Sequence, residues 1–286
     1  MKKNTLLIVT MLFCQWLIAQ DFAFQTFKDR WVINSFAVET LPKRKLDVRI
    51  AHRFGDIGGD AGGWPTFYGL ETASDVSIGA EYGISNNLTL GFNRSKGAGS
   101  LRQLLNTFLK YKIFAQADGG KPVTLTVVGM TSLSTTEKSN DPSSMTFFDN
   151  FAHRMVHHGS LLAARKFSSK FSLQLSAGVT HRNVVPNGQE NQTYHVGAAT
   201  RIQLTKTIGI IGDVAIPFID KATDSNLEHF APIGVGLEFD TGGHVFQVNL
   251  TNATGLMPTD YIPYTFSDWG EGQFRFGFTI SRMFNL

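Results

Sequence analysis

The 286-residue chain has one cysteine, Cys14, and it falls within the first nineteen residues. No disulfide, thiolate nucleophile or cysteine-based metal site is available to the rest of the chain. Long apolar runs are also missing: after Ile18 no stretch approaches the roughly 20 apolar residues a membrane-spanning helix needs, which excludes a helical membrane bundle. Net charge is small. There are 26 Lys and Arg against 23 Asp and Glu, giving +3, or +1 (24 minus 23) once Lys2 and Lys3 are removed with the leader described next. A basic nucleic-acid surface is therefore not expected, and nothing in the sequence calls for a cofactor. What the chain does have in quantity is glycine, 28, and phenylalanine, 24.

Lys2 and Lys3 precede a mostly apolar run from Leu6 to Ile18, followed by Ala19-Gln20-Asp21. This is the charged, apolar and small-residue order of a secretory signal peptide, residues 1–19, with cleavage expected after Ala19. An exported chain without spanning helices is either soluble or a barrel.

The C-terminal stretch FRFGFTISRMFNL begins to decide between them. Phe274, Phe276, Phe278, Ile280, Phe284 and Leu286 occupy alternate positions, with Arg275, Gly277, Thr279, Ser281 and Asn285 between them. Successive strand residues point to opposite faces, so one face is apolar and the other mostly polar. The same period-two pattern recurs about twelve times from residue 45 onward, as in Leu46, Val48, Ile50 against Asp47, Arg49, or Val235, Leu237, Phe239 against Glu238, Asp240. Phe108 and Phe114 spoil the polar side of one segment, and the segment from His153 to Phe167 is ambiguous in parity.

The connections alternate in length. Ser85-Asn86-Asn87, Asp118 to Pro122, Ser168-Ser169-Lys170, Thr205-Lys206-Thr207 and Thr241-Gly242-Gly243 are short, whereas 55–73, 135–152, 184–191, 217–230 and 253–272 are longer. Short hairpin turns on one side and long loops on the other, with an even number of strands, mark a transmembrane antiparallel up-and-down β-barrel of about 12 strands. The expected organisation is a signal peptide, a periplasmic N-terminal lead over 20–44, and a barrel over 45–286 in the outer membrane. Whether the lead enters the lumen is left open. Outer-membrane lipid is the expected surroundings, and the strand Phe274 to Leu286 matches the terminal pattern read by barrel-insertion machinery.

Three stretches, VINSFAVETLPKRKLDVRIAHRFGDIGGD from residue 32, FYGLETASDVSIGAEYGISNNLTLGFNRSKG from residue 67 and HRNVV at 181–185, resemble a family of β-barrel outer-membrane proteins from Bacteroidota catalogued as a domain of unknown function. The resemblance covers the chain after the leader. It implies fold and location and brings no catalytic residues.

By parity, the inward-facing charges are Lys45, Asp47, Arg49, Arg53, Asp75, Glu81, Lys110, Lys112, Arg182, Arg201, Asp213, Glu238, Asp240 and Arg275. Unpaired buried charges are costly, so the interior must be ion-paired, with the early basic groups meeting Asp213, Glu238 and Asp240, or wet. The expected functions are a narrow pore for small solutes or a structural barrel; a scaffold for a partner is the further reading. HRMVHH at 153–158 offers histidines but no shared ion, because His153 and His157 stand about 13 Å apart along a strand and no carboxylate or Cys spacing supports one. His158 and Ser160 share a face, the arrangement an acyl-hydrolase could use for base and nucleophile on its lipid-facing wall. That enzyme reading is the weak alternative. Loop aromatics such as Trp64, Phe67 and Tyr68 suit an interfacial girdle.

Overall fold

The computed structural model describes residues 25–186, 188–219 and 228–286. The expected signal peptide lies outside them. Among the described residues, twelve strands close into one antiparallel barrel: β3 (Lys45–Asp56), β4 (Ala73–Ser85), β5 (Leu88–Ser95), β6 (Leu104–Phe114), β7 (Thr124–Ser134), β8 (Met155–Lys166), β9 (Phe171–Arg182), β10 (Gln192–Gln203), β11 (Ile208–Phe218), β12 (Ile233–Asp240), β13 (His244–Thr251) and β14 (Arg275–Asn285). Each strand pairs with its neighbours in sequence. The ring closes where β14 pairs with β3, from Arg275 opposite Asp56 to Asn285 opposite Lys45, with one register shift between Arg275 and Gly277. No helix of the described residues is long and apolar enough to cross a membrane, so strands make the crossing, and closure leaves no unpaired edge in the lipid.

The sidedness is inverted relative to a water-soluble protein. Ile78, Phe92, Leu109, Leu175 and Ile216 point outward and are exposed, whereas Asp47, Asp75, Lys110, Thr126, Thr180 and Gln247 point inward and are buried. The ambiguous segment, β8, resolves with Val156, His158, Ser160, Leu162 and Ala164 inside. Its parity was hard to read because the inner face carries Val156 and Leu162 while Gly159 and Ala163 lie on the outer one.

Those inner apolar residues have a purpose, since the lumen is filled by the chain itself. Residues 25–44 run into the barrel from its short-turn end and back. The tip is a two-stranded hairpin, β1 (Trp31–Val32) and β2 (Ser35–Phe36), paired Trp31 to Phe36 and Val32 to Ser35. Both ends of the segment touch the short-turn rim: Lys28 pairs with Asp240 at 3.1 Å, and Lys43 N–H bonds the Asn86 side chain at 3.0 Å. From the opposite end, the loop between β13 and β14 folds inward, with Leu256, Met257 and the single turn α1 (Pro258–Tyr261) buried. Hairpin and loop meet in one apolar cluster that joins Phe27, Trp31, Ile33, Phe36 and Val38 to Leu256 and Met257, against wall residues Phe108, Val128, Met130, Leu162 and Ile211.

Phe108 is the wall's main contribution to that cluster. Its ring meets Trp31 edge-on at 5.8 Å and Phe36 at 5.0 Å, and Trp31 lies 3.9 Å from Phe36. Each such aromatic pair adds about 0.5–1.5 kcal/mol beyond area burial. Gly91 makes the room, because a Cβ there would sit 2.1 Å from the Phe108 ring. Phe108→Ala should therefore loosen the hairpin, a Phe-to-Ala truncation in a packed site costing about 3–5 kcal/mol. In a chain whose only cysteine is Cys14, an Ala37→Cys reporter should react with a water-soluble maleimide at least about tenfold faster in the Phe108→Ala background. Equal rates in the two backgrounds would show that this cluster does not hold the hairpin.

Candidate functional site in the occluded lumen

The inward charges do not pair directly across the lumen as early-basic against late-acidic groups. Intervening residues of the hairpin and loop take most of them up. Arg49 pairs with Asp29 at 2.6 Å, and Arg30 with Asp47 at 2.7 Å. Glu81 accepts the Trp31 indole N–H at 2.7 Å and lies 3.8 Å from Lys110. Lys112 lies 3.8 Å from Glu39. Asp213 receives the backbone N–H groups of Asn34 and Ser35 at 2.9 and 2.8 Å, together with both their side chains. Two neutral wall residues complete the seat: Gln174 accepts from Val38 N–H and donates to Phe36 C=O, and Gln247 donates to Trp31 C=O.

Other members of the inward set hold the loop or one another. Arg53 donates to Asn34 of the hairpin at 2.8 Å and to the loop carbonyls of Ala253 and Gly255, so one guanidinium ties the two plugging segments together. Asp75 accepts Leu256 N–H at 2.9 Å and Gly97 N–H at 3.0 Å. Arg275 pairs with Asp56 at 2.7 Å. Arg201 pairs with Glu238 at 2.6 Å, wall to wall. Arg182 bonds Gln189 and the Glu190 carbonyl and lies over the Tyr264 ring. Lys45 sits at the rim and bonds Asn285.

His158 and Ser160 require a correction. Both are buried and face the lumen, not lipid, since β8 presents its even positions inward. His158 Nδ1 is bonded to Thr180 Oγ1 at 3.0 Å, a hydroxyl and not a carboxylate. A base and nucleophile walled off from the acyl chains cannot hydrolyse them there, and the acyl-hydrolase alternative is not supported. Of the neighbouring histidines, His157 meets Thr131 at 3.0 Å and His153 sits in a short 3₁₀ turn beside Asn150.

With the geometry in place, a family model for a membrane bound beta barrel domain, DUF5777, matches residues 27–284. The chain belongs to that family. The matched region includes the hairpin as well as the strands. Among solved structures, the NanC porin covers 84% of this chain and 100% of its own at 8% identity and TM-score 0.50. An outer membrane channel from Pseudomonas putida F1 covers 86% and 98% at 13% identity and TM-score 0.49. At such identities the likeness is one of fold: a porin-like membrane barrel. A search of curated proteins finds no match.

The loop's own anchor is Asp260, whose two carboxylate oxygens accept the N–H groups of Ala98 and Gly99 at 2.8 and 2.7 Å. Burial, and then the nearby Asp75 carboxylate, push its pKa up from 3.8 to about 7 against the opposing pull of those N–H bonds. A carboxyl whose docked pKa is raised holds its proton better docked than free, so docking weakens as pH rises from about 4 to about 7 and levels off above. With those two values, opening of the loop should thus increase by about seventyfold between pH 5 and pH 7.5. Protease nicking at 253–266 as a function of pH would measure it, and Asp260→Asn should flatten the profile. A flat wild-type profile would assign loop docking to other groups.

Proposed function

We propose that this protein is an outer-membrane channel for small polar solutes, occluded by its own N-terminal hairpin from the periplasmic side and by the β13–β14 loop from the outside. It opens when these segments withdraw. The observation that carries this is the chemistry of the seat. The hairpin rests on Asp47, Arg49, Glu81, Lys110, which donates to the Arg30 carbonyl at 3.2 Å, and Asp213, charges from five positions around the wall. A barrel meant to be filled permanently has little need of them, because apolar side chains would fill it without any desolvation cost. A lumen that alternates between plug and water needs groups that can be satisfied by either.

The plug also has the properties of a removable part. A two-stranded hairpin is marginal by itself, and its ends are fixed at the rim, so it can leave and return without unfolding the barrel. Twelve strands enclose more than the eight that side chains alone fill and fewer than the 16–18 of wide porins, which suits a narrow path. The contiguous apolar cluster around Trp31 and Phe108 favours the second reading, a permanently filled structural barrel, and conductance separates the two.

Planar-bilayer recording of the signal-free protein is the test. The intact chain should show low, flickering conductance, and a variant carrying Trp31→Ala with Phe36→Ala should stay open for at least about ten times as much of the record. Once open, charge reversal at Arg49 should shift ion selectivity toward cations. A double variant that is folded by heat-modifiable gel mobility yet silent would overturn the channel reading in favour of the structural barrel.

A further inference from the structure

We propose that His158 and His195 together form a binding site in the lumen wall for a divalent transition-metal ion of the Zn²⁺, Cu²⁺ and Ni²⁺ class. The two side chains come from strands that do not touch each other. β9 lies between β8 and β10, with Thr180 opposite His158, and Gly178 opposite both Ser160 and His195. Gly178 gives them room to converge: a Cβ at that position would lie 2.5 Å from the Gly159 carbonyl oxygen of β8, 2.6 Å from His195 Cε1 and 2.9 Å from Ser160 Cβ. The imidazole of His195 occupies the space a side chain on β9 would take. The two ring centres are 5.3 Å apart, with planes 26° apart.

That separation suits a shared ion. A metal–nitrogen bond of about 2.0–2.1 Å puts each ring centre about 3.2 Å from the metal, and two such rings at a tetrahedral angle are about 5.2 Å apart. The hydrogen bonding is also right. His158 Nδ1 is paired with Thr180 Oγ1 at 3.0 Å, and donation of an Nδ1 proton to such a partner fixes the tautomer that leaves Nε2 free to ligate. His195 is 6% exposed, and its Nδ1 has no hydrogen-bond partner. A buried polar nitrogen left unsatisfied is costly and calls for an occupant.

The space for one exists. A cavity of about 20 Å³ is lined by both histidines and by Ser35, Ser160, Ser176 and Tyr261 among others, room for roughly one water-sized occupant. The lining holds no carboxylate and no cysteine, which argues against Ca²⁺ or Mg²⁺, for which oxygen-rich carboxylate sets are needed, and for a metal that accepts imidazole. Among the described residues no group of three or more His, Cys, Asp or Glu gathers in metal-binding reach. Two imidazoles with water or hydroxyls hold an ion weakly and exchangeably, as suits a regulator or a passing solute better than a resident cofactor. Because Ser35 belongs to the hairpin and Tyr261 to the loop, an ion there touches both plugging segments. Ion binding at this pair does not depend on whether the lumen conducts.

Isothermal titration of the folded, signal-free protein with ZnCl₂, CuCl₂ and NiCl₂ at pH 7.5 is the test, with CaCl₂ as the class control. One micromolar-range site per chain is expected for the imidazole-seeking ions and none for Ca²⁺. His195→Ala and His158→Ala should each weaken it at least tenfold. Gly178→Ala, which keeps both histidines but presses on the His195 ring and on the β8 backbone at Gly159, should do the same, whereas His153→Ala should not. Heat-modifiable gel mobility confirms that each variant is folded. Absence of binding, or binding that persists in the His158→Ala/His195→Ala double variant or is lost in His153→Ala, would overturn the proposal.

Discussion

The ladder between β14 and β3 is the constraint on which everything else rests. A bilayer offers no hydrogen bonds to an open sheet edge, so the last strand must find the first, and the pairing from Arg275 to Asn285 against Asp56 to Lys45 achieves this. Once the ring is closed, every strand has an inside and an outside, and residue parity becomes sidedness. The outer face is then bound to be apolar. The inner face is freed from lipid and can carry charge.

An interior charge still has to be satisfied, and the structure meets that demand by bringing in chain. The hairpin tip offers Asp29 to Arg49 and Arg30 to Asp47, and two bare backbone N–H groups to Asp213. Such contacts are worth little if one partner is removed and the other left buried, because the orphaned charge then costs several kcal/mol. In a lumen with access to water that penalty falls away. The same network can therefore hold the plug in place and release it, which a purely apolar filling would not allow.

Much of the wall could be read from the sequence because period two is rigid: Asp47, Arg53, Asp75, Lys110, Asp213 and Glu238 all sit inside, where alternation puts them. Exceptions to the alternation carried information as well. Phe108 looked like a blemish on a polar face and is the ring that seats Trp31 and Phe36. Val128, Met130, Leu162 and Ile211 deviate for the same reason. A run of inward apolar residues on adjacent strands is the signal of a docked plug, but it means nothing until strand order and register show that the residues are neighbours.

Strand number, sidedness, the sorting of short turns from long loops and the polar lining were thus determined by the sequence itself, because each follows from spacing along the chain. Three things were decided only by the tertiary structure: that residues 25–44 turn inward, that the β13–β14 loop comes to meet them, and that His158 stands beside His195 across β9. They rest on contacts between residues from 17 to over 200 positions apart, such as Arg30 with Asp47, Asn34 with Asp213 and Arg53 with Gly255. A local pattern records which face a side chain takes. It does not record what stands opposite that face, and for this protein the opposite partner is what turns an open lumen into an occluded one.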